Sequence, residues 1–186
     1  MPGNFKRQSL ILGCIVLLSG CIFSSGPTNN EDFARLEKLD DLVGTYSNIG
    51  EGESEESVIY LSSIIWPKER GWPHDGSITT IEVSTVSDKV LRIRATGKSV
   101  ITKEKLFTEG KDFEFLDGRI RLKPNFTMMA GPTIGPYYDF VELGLERGGH
   151  GKFRYTSVAA ILIYSFFPAA GAGEDDVRFR RLGGTR

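Results

Sequence analysis

Apolar and polar residues alternate with a period of two along much of the sequence after residue 42, and this pattern constrains the fold more than any other feature. Residues 91–95 read Leu-Arg-Ile-Arg-Ala, residues 113–116 read Phe-Glu-Phe-Leu, and residues 141–145 read Val-Glu-Leu-Gly-Leu. Successive side chains of a β-strand point to opposite faces of the sheet. The alternation therefore predicts strands with one buried face and one face in water.

The links between these runs predict the topology. Asp117-Gly118 separates two alternating runs, which is typical of a tight hairpin, and Gly148-Gly149 separates two others. Such short links leave no room for the crossovers that parallel strands need. We therefore expect a mainly β fold, an antiparallel up-and-down meander of about 8–10 strands closed as a barrel or a sandwich.

Two segments outside the alternating pattern carry their own predictions. Phe33, Leu36 and Leu39 recur at intervals of three behind Asn30, which predicts one short N-terminal helix capped by that asparagine. The run Val158–Phe167 is the most apolar one after Cys21. At ten residues it is too short for a membrane-spanning helix, and it predicts a buried strand.

The first 21 residues have the three parts of a secretory signal peptide. Lys6 and Arg7 give a positive start, residues 9–18 are apolar after the leading serine, and the segment ends in Leu18-Ser19-Gly20-Cys21. This ending resembles the lipobox of bacterial lipoprotein precursors. The resemblance implies diacylglycerol on the Cys21 sulfur, cleavage before Cys21, and a further acyl chain such as palmitate on the new amine. The alternatives are an ordinary signal peptide with a chance cysteine, or an uncleaved membrane anchor.

The residue after the lipobox predicts a location. Ile22 stands where Asp usually retains a lipoprotein in the inner membrane of Gram-negative bacteria. The resemblance therefore implies the periplasmic side of the outer membrane, if the source is Gram-negative. The membrane would be reached through the N-terminal lipid.

The expected organisation is a signal peptide at 1–20, a lipidated tether at 21–30 and one β-rich domain at 31–186, a length typical of a single domain. The tether is polar and, fully extended, spans about 30 Å. The chain has 23 basic and 24 acidic residues without a basic stripe, so nucleic-acid binding has no support.

Gly44-Thr45-Tyr46 lies in the first predicted strand, after the short helix. Together with the meander pattern, it resembles lipocalin-like domains of small bacterial lipoproteins. Tyr46 departs from the tryptophan that lipocalins keep at this position. The resemblance implies a fold and carries over no functional residue.

The sequence contains no pattern that predicts a catalytic, cofactor or metal site. His74 and His150 are the only histidines, they are far apart, and both lie in predicted turns. A histidine zinc site usually needs two or three ligands at defined spacing. The acidic run at 51–56 lacks the spacing of a calcium-binding loop, so it is expected to be a solvated loop tip.

Three apolar segments in predicted loops are the candidate binding residues. Apolar residues grouped on loops mark a ligand mouth or a partner surface, unless they fold back over the ends of the sheet. The candidates are Trp66 and Trp72 in the first segment, Met128, Met129, Tyr137 and Tyr138 in the second, and Phe166 and Phe167 in the third.

These observations favour a non-enzymatic binding or interaction module of the cell envelope, with a small apolar ligand or a protein as its partner. One alternative is an immunity or inhibitor lipoprotein that blocks a toxin or a lytic enzyme. Another is an envelope hydrolase whose residues meet only in three dimensions, with His74, Asp75 and loop carboxylates as candidates.

Overall fold

The computed structural model of the protein describes residues 21–53, 58–67, 77–97, 100–164 and 166–183. The first strands along the chain are β1 (Cys21–Ser25), β2 (Gly44–Ser47), β3 (Thr80–Ser87), β4 (Val90–Gly97), β5 (Val100–Thr108) and β6 (Phe113–Leu116). They are followed by β7 (Arg119–Leu122), β8 (Asn125–Met129), β9 (Thr133–Leu145), β10 (Gly151–Ile163), β11 (Phe167–Phe179) and β12 (Arg181–Gly183). The helical elements are a 3-10 turn at Leu39–Leu42 and the α-helix α1 at Leu61–Ile65.

The strands form two sheets. One has the order β1-β11-β10-β9-β7-β6, with β8 also paired to β9, and the other has the order β12-β2-β3-β4-β5. The strand pairs with a defined register, such as β3 with β4 and β8 with β9, are antiparallel. Neither sheet closes on itself within the part of the chain that the structure describes. The predicted mainly β, antiparallel fold is confirmed, in its sandwich form.

The chain divides into two compact units. Unit 1 consists of residues up to Ser24, Pro124–Phe140 and Tyr155–Glu174, and unit 2 of Ser25–Lys123, Val141–Arg154 and Asp175 to the end. No helix formed by the described residues is long and apolar enough to cross a membrane.

Unit 2 contains a core between residues of both sheets. Leu91, Ile93 and Ala95 of β4 are at most 5% exposed, as the alternation in that segment predicts. Phe113 and Phe179 from the other sheet are 1% exposed, so the two sheets of this unit bury their apolar faces together. This is the packing that defines a β-sandwich.

The tight turns follow the predicted chemistry. Asp117 and Gly118 both have positive φ, 53° and 74°, as a two-residue hairpin turn requires, and they join β6 to β7. The Cβ of any other residue at Gly118 would lie 2.6 Å from the backbone nitrogen of Leu36. Glycine is therefore needed here for both its backbone conformation and its small size.

The helical segments differ from the prediction. The helical turn begins at Leu39, where the expected helix ends, because Phe33 pairs with Glu146 in a β-bridge and Ala34 donates to the Leu145 carbonyl at 2.7 Å. The helix α1 was not predicted, since the only expected helix was the N-terminal one. The side-chain oxygen of the buried Asn48 accepts the Ser62 N–H at 2.8 Å and so fixes the start of this helix.

Candidate binding surface

Unit 2 contains a cluster of buried charges on strands β10 and β11. Asp176 is 4% exposed and Lys152 is 3% exposed, and the carboxylate and the ammonium group are 2.7 Å apart. Arg154 donates two hydrogen bonds to Asp176, at 2.8 and 3.0 Å. Paired, hydrogen-bonded charges of this kind are the form in which ions are tolerated in a protein interior.

The environment of Asp176 fixes its charge. Burial raises the pKa of this carboxyl, but hydrogen bonds from Arg154, Lys152 and Asn30 outweigh burial and lower the pKa to about 2. Asp176 is therefore ionised at neutral pH and has no proton to donate in acid–base chemistry.

The cluster holds the segment that follows β1. Lys152 donates to the Asn30 side chain at 2.7 Å and to the Glu31 carbonyl at 2.5 Å. Arg178 donates to the Asn29 carbonyl at 2.7 Å and pairs with the buried Glu146. The end of the predicted tether is thus bound to the sheet of unit 2.

Phe33 completes this attachment. The side chain is 7% exposed, and the Arg119, Arg154 and Lys152 cations lie 4.6, 5.3 and 5.5 Å from the ring centroid. Cations over an aromatic ring are attracted by its quadrupole. Because the charged groups of this cluster bind one another, the backbone and Phe33, their role is structural.

Unit 1 differs from this charged cluster because it exposes apolar side chains. In the β8–β9 pair, Phe126 lies opposite Tyr138 and Met128 lies opposite Pro136, so these side chains share one face with Ile134. Phe126 and Met128 are 63% and 58% exposed, and the other three are exposed as well.

The same face continues onto the next two strands of unit 1. The Tyr137 and Tyr155 hydroxyls are 2.6 Å apart, so odd-numbered positions of β9 and β10 share a side. A Cβ at Gly173 would lie 3.2 Å from the Ser157 hydroxyl, which gives the same relation between β10 and β11. The even-numbered positions therefore share the other side, where the exposed residues are Val158, Ala160, Leu162, Pro168 and Ala170.

We call these ten exposed residues of β8, β9, β10 and β11 the apolar face. Its strands end in an aromatic tip, formed by Tyr164, Phe166 and Phe167 at the link between β10 and β11, which are 69%, 81% and 67% exposed. The Tyr164 N–H donates to the Pro132 carbonyl at 2.6 Å, so the tip is bonded to the start of β9. Single exposed apolar residues are common, but a continuous group of them marks an interaction surface.

No family model, curated protein or solved structure matches this chain. The geometry of the two units therefore carries the functional argument.

The predicted binding residues fall mostly in unit 1. Met128 and Tyr138 belong to the apolar face, Phe166 and Phe167 form the aromatic tip, and Met129 is 36% exposed. Tyr137 points to the other side of the sheet, where its hydroxyl meets Tyr155. Residues 125–135 and 168–175 were expected to be loops, yet they form β8, the start of β9 and part of β11, so that expectation is wrong for most of their length.

Trp66 and Trp72 are placed differently. Trp66 follows α1 in unit 2 and is 4% exposed, with the Lys103 ammonium group 5.7 Å from its ring. A side chain so deeply buried belongs to the core and not to a surface. Trp72 lies outside the described residues.

Sequence reasoning missed Val158 and Leu162. The apolar run that contains them was expected to be a buried strand, whereas they are 44% and 42% exposed. A signal was present in the sequence: the segments 124–140 and 155–174 contain no Lys or Arg and only two acidic residues, Asp139 and Glu174, in a chain that is 25% charged. Strands with so few charged residues on either face are not typical of a surface that faces water.

The remaining candidates for catalysis or metal binding are the histidines and the acidic residues. The Nδ1 atom of His150 accepts the Arg181 N–H at 3.2 Å, which is a structural contact. His74 and Asp75 lie outside the described residues. Among the described residues, no group of three or more His, Cys, Asp or Glu side chains is arranged to hold a metal ion.

Unit 2 also contains an apolar cavity between its sheets. Its volume is about 70 Å³, and its lining includes Leu42, Tyr46, Ile93, Phe107 and Leu143. Binding sites for small organic ligands usually enclose about 300–1,000 Å³. The interior of unit 2 is thus a packed core, and the larger apolar feature is the face of unit 1.

Proposed function

We propose that the protein is a lipoprotein of the bacterial cell envelope, held on a membrane by lipid on Cys21, and that it acts as a non-enzymatic binding module. The observation that carries the binding function is the apolar face. Ten exposed apolar side chains on four adjacent strands are unfavourable in water, because apolar surface gains about 25 cal/mol per Å² when it is buried. A partner that covers this face recovers that free energy.

A binding role also agrees with the state of the polar groups in unit 2. Asp176, Lys152 and Arg154 bind one another and the chain around Asn30, and His150 accepts a backbone hydrogen bond. An active site needs groups directed at a substrate and a pKa suited to proton transfer. These groups instead hold the fold together.

The anchor is tested by metabolic labelling with radioactive palmitate in a bacterial host. We expect the wild-type protein to incorporate the label and Cys21→Ser to incorporate none. Cys14→Ser is the matched control, since Cys14 lies inside the predicted signal peptide and its loss is expected to leave labelling unchanged. Equal labelling of wild type and Cys21→Ser, or no labelling of the wild type, would show that the proposed anchor is wrong.

The binding face is tested by photo-crosslinking in cells. Leu162, in the apolar face of unit 1, and Leu116, in unit 2, are 42% and 41% exposed, so they form a matched pair. Each is replaced in turn by benzoylphenylalanine, and adducts are identified by mass spectrometry after irradiation. We expect protein or lipid adducts at position 162 and several-fold fewer at position 116. Equal yields at the two positions would contradict a binding role for the apolar face.

A further inference from the structure

We propose that the apolar face and the aromatic tip of unit 1 insert into the acyl region of the membrane that carries the lipid of Cys21. The inference rests on the proposed function and deepens it, because it names the bilayer itself as the partner of the face. Four features of unit 1 support a lipid partner.

The first feature is the distribution of charge. The segments that form unit 1 after Ser24 contain no Lys or Arg, and their two acidic residues lie at the ends of the segments, with Asp139 one residue before the end of the first and Glu174 at the end of the second. The Asn125 amide donates to Asp139 at 3.1 Å. Protein interfaces are typically enriched in Arg and have a polar rim. Segments without basic residues, whose two acidic residues lie at their ends, fit hydrocarbon better than they fit a protein.

The second feature is the position of the predicted anchor. Cys21 is the first residue of β1, β1 pairs with β11, and residues 21–24 belong to unit 1. A lipid on Cys21 therefore attaches to the same compact unit that bears the apolar face. Tethering to the bilayer raises the local concentration of lipid around this unit, whereas it gives no such advantage to a soluble partner.

The third feature is the reach of the strands. Tyr164 lies six positions after Val158, which corresponds to about 20 Å at the rise of a β-strand. One leaflet contributes roughly half of the 30 Å hydrocarbon core. The exposed part of β10 is thus long enough to enter one leaflet, and exposed Tyr and Phe side chains at the tip are residue types that partition favourably into membranes.

The fourth feature is the hydrogen bonding of the backbone. In the sheet order β10 lies between β9 and β11, and Gly135–Asp139 of β9 also pair with β8. Backbone groups that enter hydrocarbon without a partner cost several kcal/mol each, so strands with neighbours on both sides are the ones that lipid tolerates. The central part of the face meets this requirement.

The inference is tested with an environment-sensitive dye on an introduced cysteine. Val158 in unit 1 and Val86 in unit 2 are the same residue type and are 44% and 49% exposed. Val158→Cys and Val86→Cys are prepared as lipidated mature proteins, in which the Cys21 sulfur is blocked by lipid and Cys14 is removed with the signal peptide. They are reconstituted into vesicles of phosphatidylethanolamine and phosphatidylglycerol. We expect the dye at 158 to shift to the blue, to be quenched by doxyl groups on the acyl chains, and to be several-fold less accessible to iodide than the dye at 86.

Iodide access at 158 equal to that at 86 would overturn the inference, and so would protection from iodide without doxyl quenching. Efficient disulfide formation between two Val158→Cys chains would also overturn it, by showing that a second copy covers the face. Leu162→Cys repeats the measurement at a second position of the face. Palmitate labelling of the same samples separates the two proposals: labelled protein with an aqueous dye contradicts only membrane insertion, whereas unlabelled protein contradicts the proposed anchor.

Discussion

Lys152 and Asp176 form an ion pair of 2.7 Å between neighbouring strands, with side chains that are only 2% and 3% exposed. Both also bind the side chain of Asn30, which is 122 residues before Lys152. One buried pair thus joins two strands of the sheet to the segment that leads from the predicted lipid. Removal of the Asp176 charge leaves the Lys152 ammonium group buried without the carboxylate that it pairs with.

Asp176→Asn should destabilise unit 2 strongly. The substitution keeps the size of the side chain but leaves the buried Lys152 without the carboxylate that it pairs with and removes the charged acceptor of two Arg154 hydrogen bonds. Breaking a buried ion pair costs about 3–5 kcal/mol. Denaturant unfolding at neutral pH measures the change in the free energy of unfolding. Asp175→Asn is the control, because Asp175 is exposed and accepts its hydrogen bond from Ser25 at the surface. A similar loss for both variants would contradict the special role of Asp176.

The same carboxyl predicts an acid transition. The pKa of Asp176 is lowered from 3.8 to about 2 in the folded protein. A carboxyl whose pKa is lower in the folded protein increases the free energy of unfolding at pH values above its pKa in the unfolded chain. This contribution, about 2 kcal/mol, disappears as the pH falls from about 4 through 2. Urea unfolding at a series of pH values measures it. Asp176→Asn should show a shallower loss in this window, and an unchanged slope would show that other carboxyls cause the acid sensitivity.

Tyr46 predicts an alkaline transition. Its hydroxyl donates to the Leu42 carbonyl at 2.7 Å, and burial raises its pKa to about 12, although the nearby Arg181 opposes this shift. A tyrosine with a raised pKa stabilises the fold below its ordinary pKa of 10, and this contribution is lost as the pH rises from 10 to 12. Tyr46→Phe should lose about 1 kcal/mol at neutral pH with the hydrogen bond. It should then lose less than the wild type between pH 10 and 12, and parallel curves would contradict the assignment.

Gly135→Ala should destabilise unit 1. Gly135 has a φ of 152°, and an added Cβ would lie 2.8 Å from the Cα of Ile161 and would also meet the Ala160 carbonyl oxygen. We expect a loss of about 1–3 kcal/mol because backbone must move to relieve the overlap. Gly131→Ala is the matched control, with a positive φ of 123° but open space around its Cβ. Thermal unfolding compares the two, and equal losses would show that φ alone is responsible.

The alternating segments carry most of what could be predicted. Leu91, Ile93 and Ala95 are buried as expected because a strand places alternate residues on one face, and Asp117-Gly118 forms a hairpin turn because both positions tolerate positive φ. These features depend on residues close together in the chain, and local sequence is sufficient to predict them.

The features that could not be predicted depend on distant residues or on what lies outside the sheet. Residues 125–135 were expected to form a loop, yet β8 and the start of β9 pair with each other on either side of the turn at Gly131 and Pro132. Alternation and composition indicate that one face of a strand is apolar. They do not indicate whether this face packs on a second sheet, as at Leu91, or is exposed, as at Leu162.

The attachment at Asn30 also determines how the protein responds to a mechanical force on its N-terminal segment. A force on the proposed lipid would act first on β1 and its pairing with β11, and would then reach the buried charges at Lys152 and Arg178. Those contacts hold the backbone at Asn29 and Glu31, so at most about 30 Å of chain can extend between the proposed lipid and these contacts, even after β1 has separated from β11. The segment that connects the proposed lipid to unit 2 is therefore short, and it is held by ion pairs that weaken in acid.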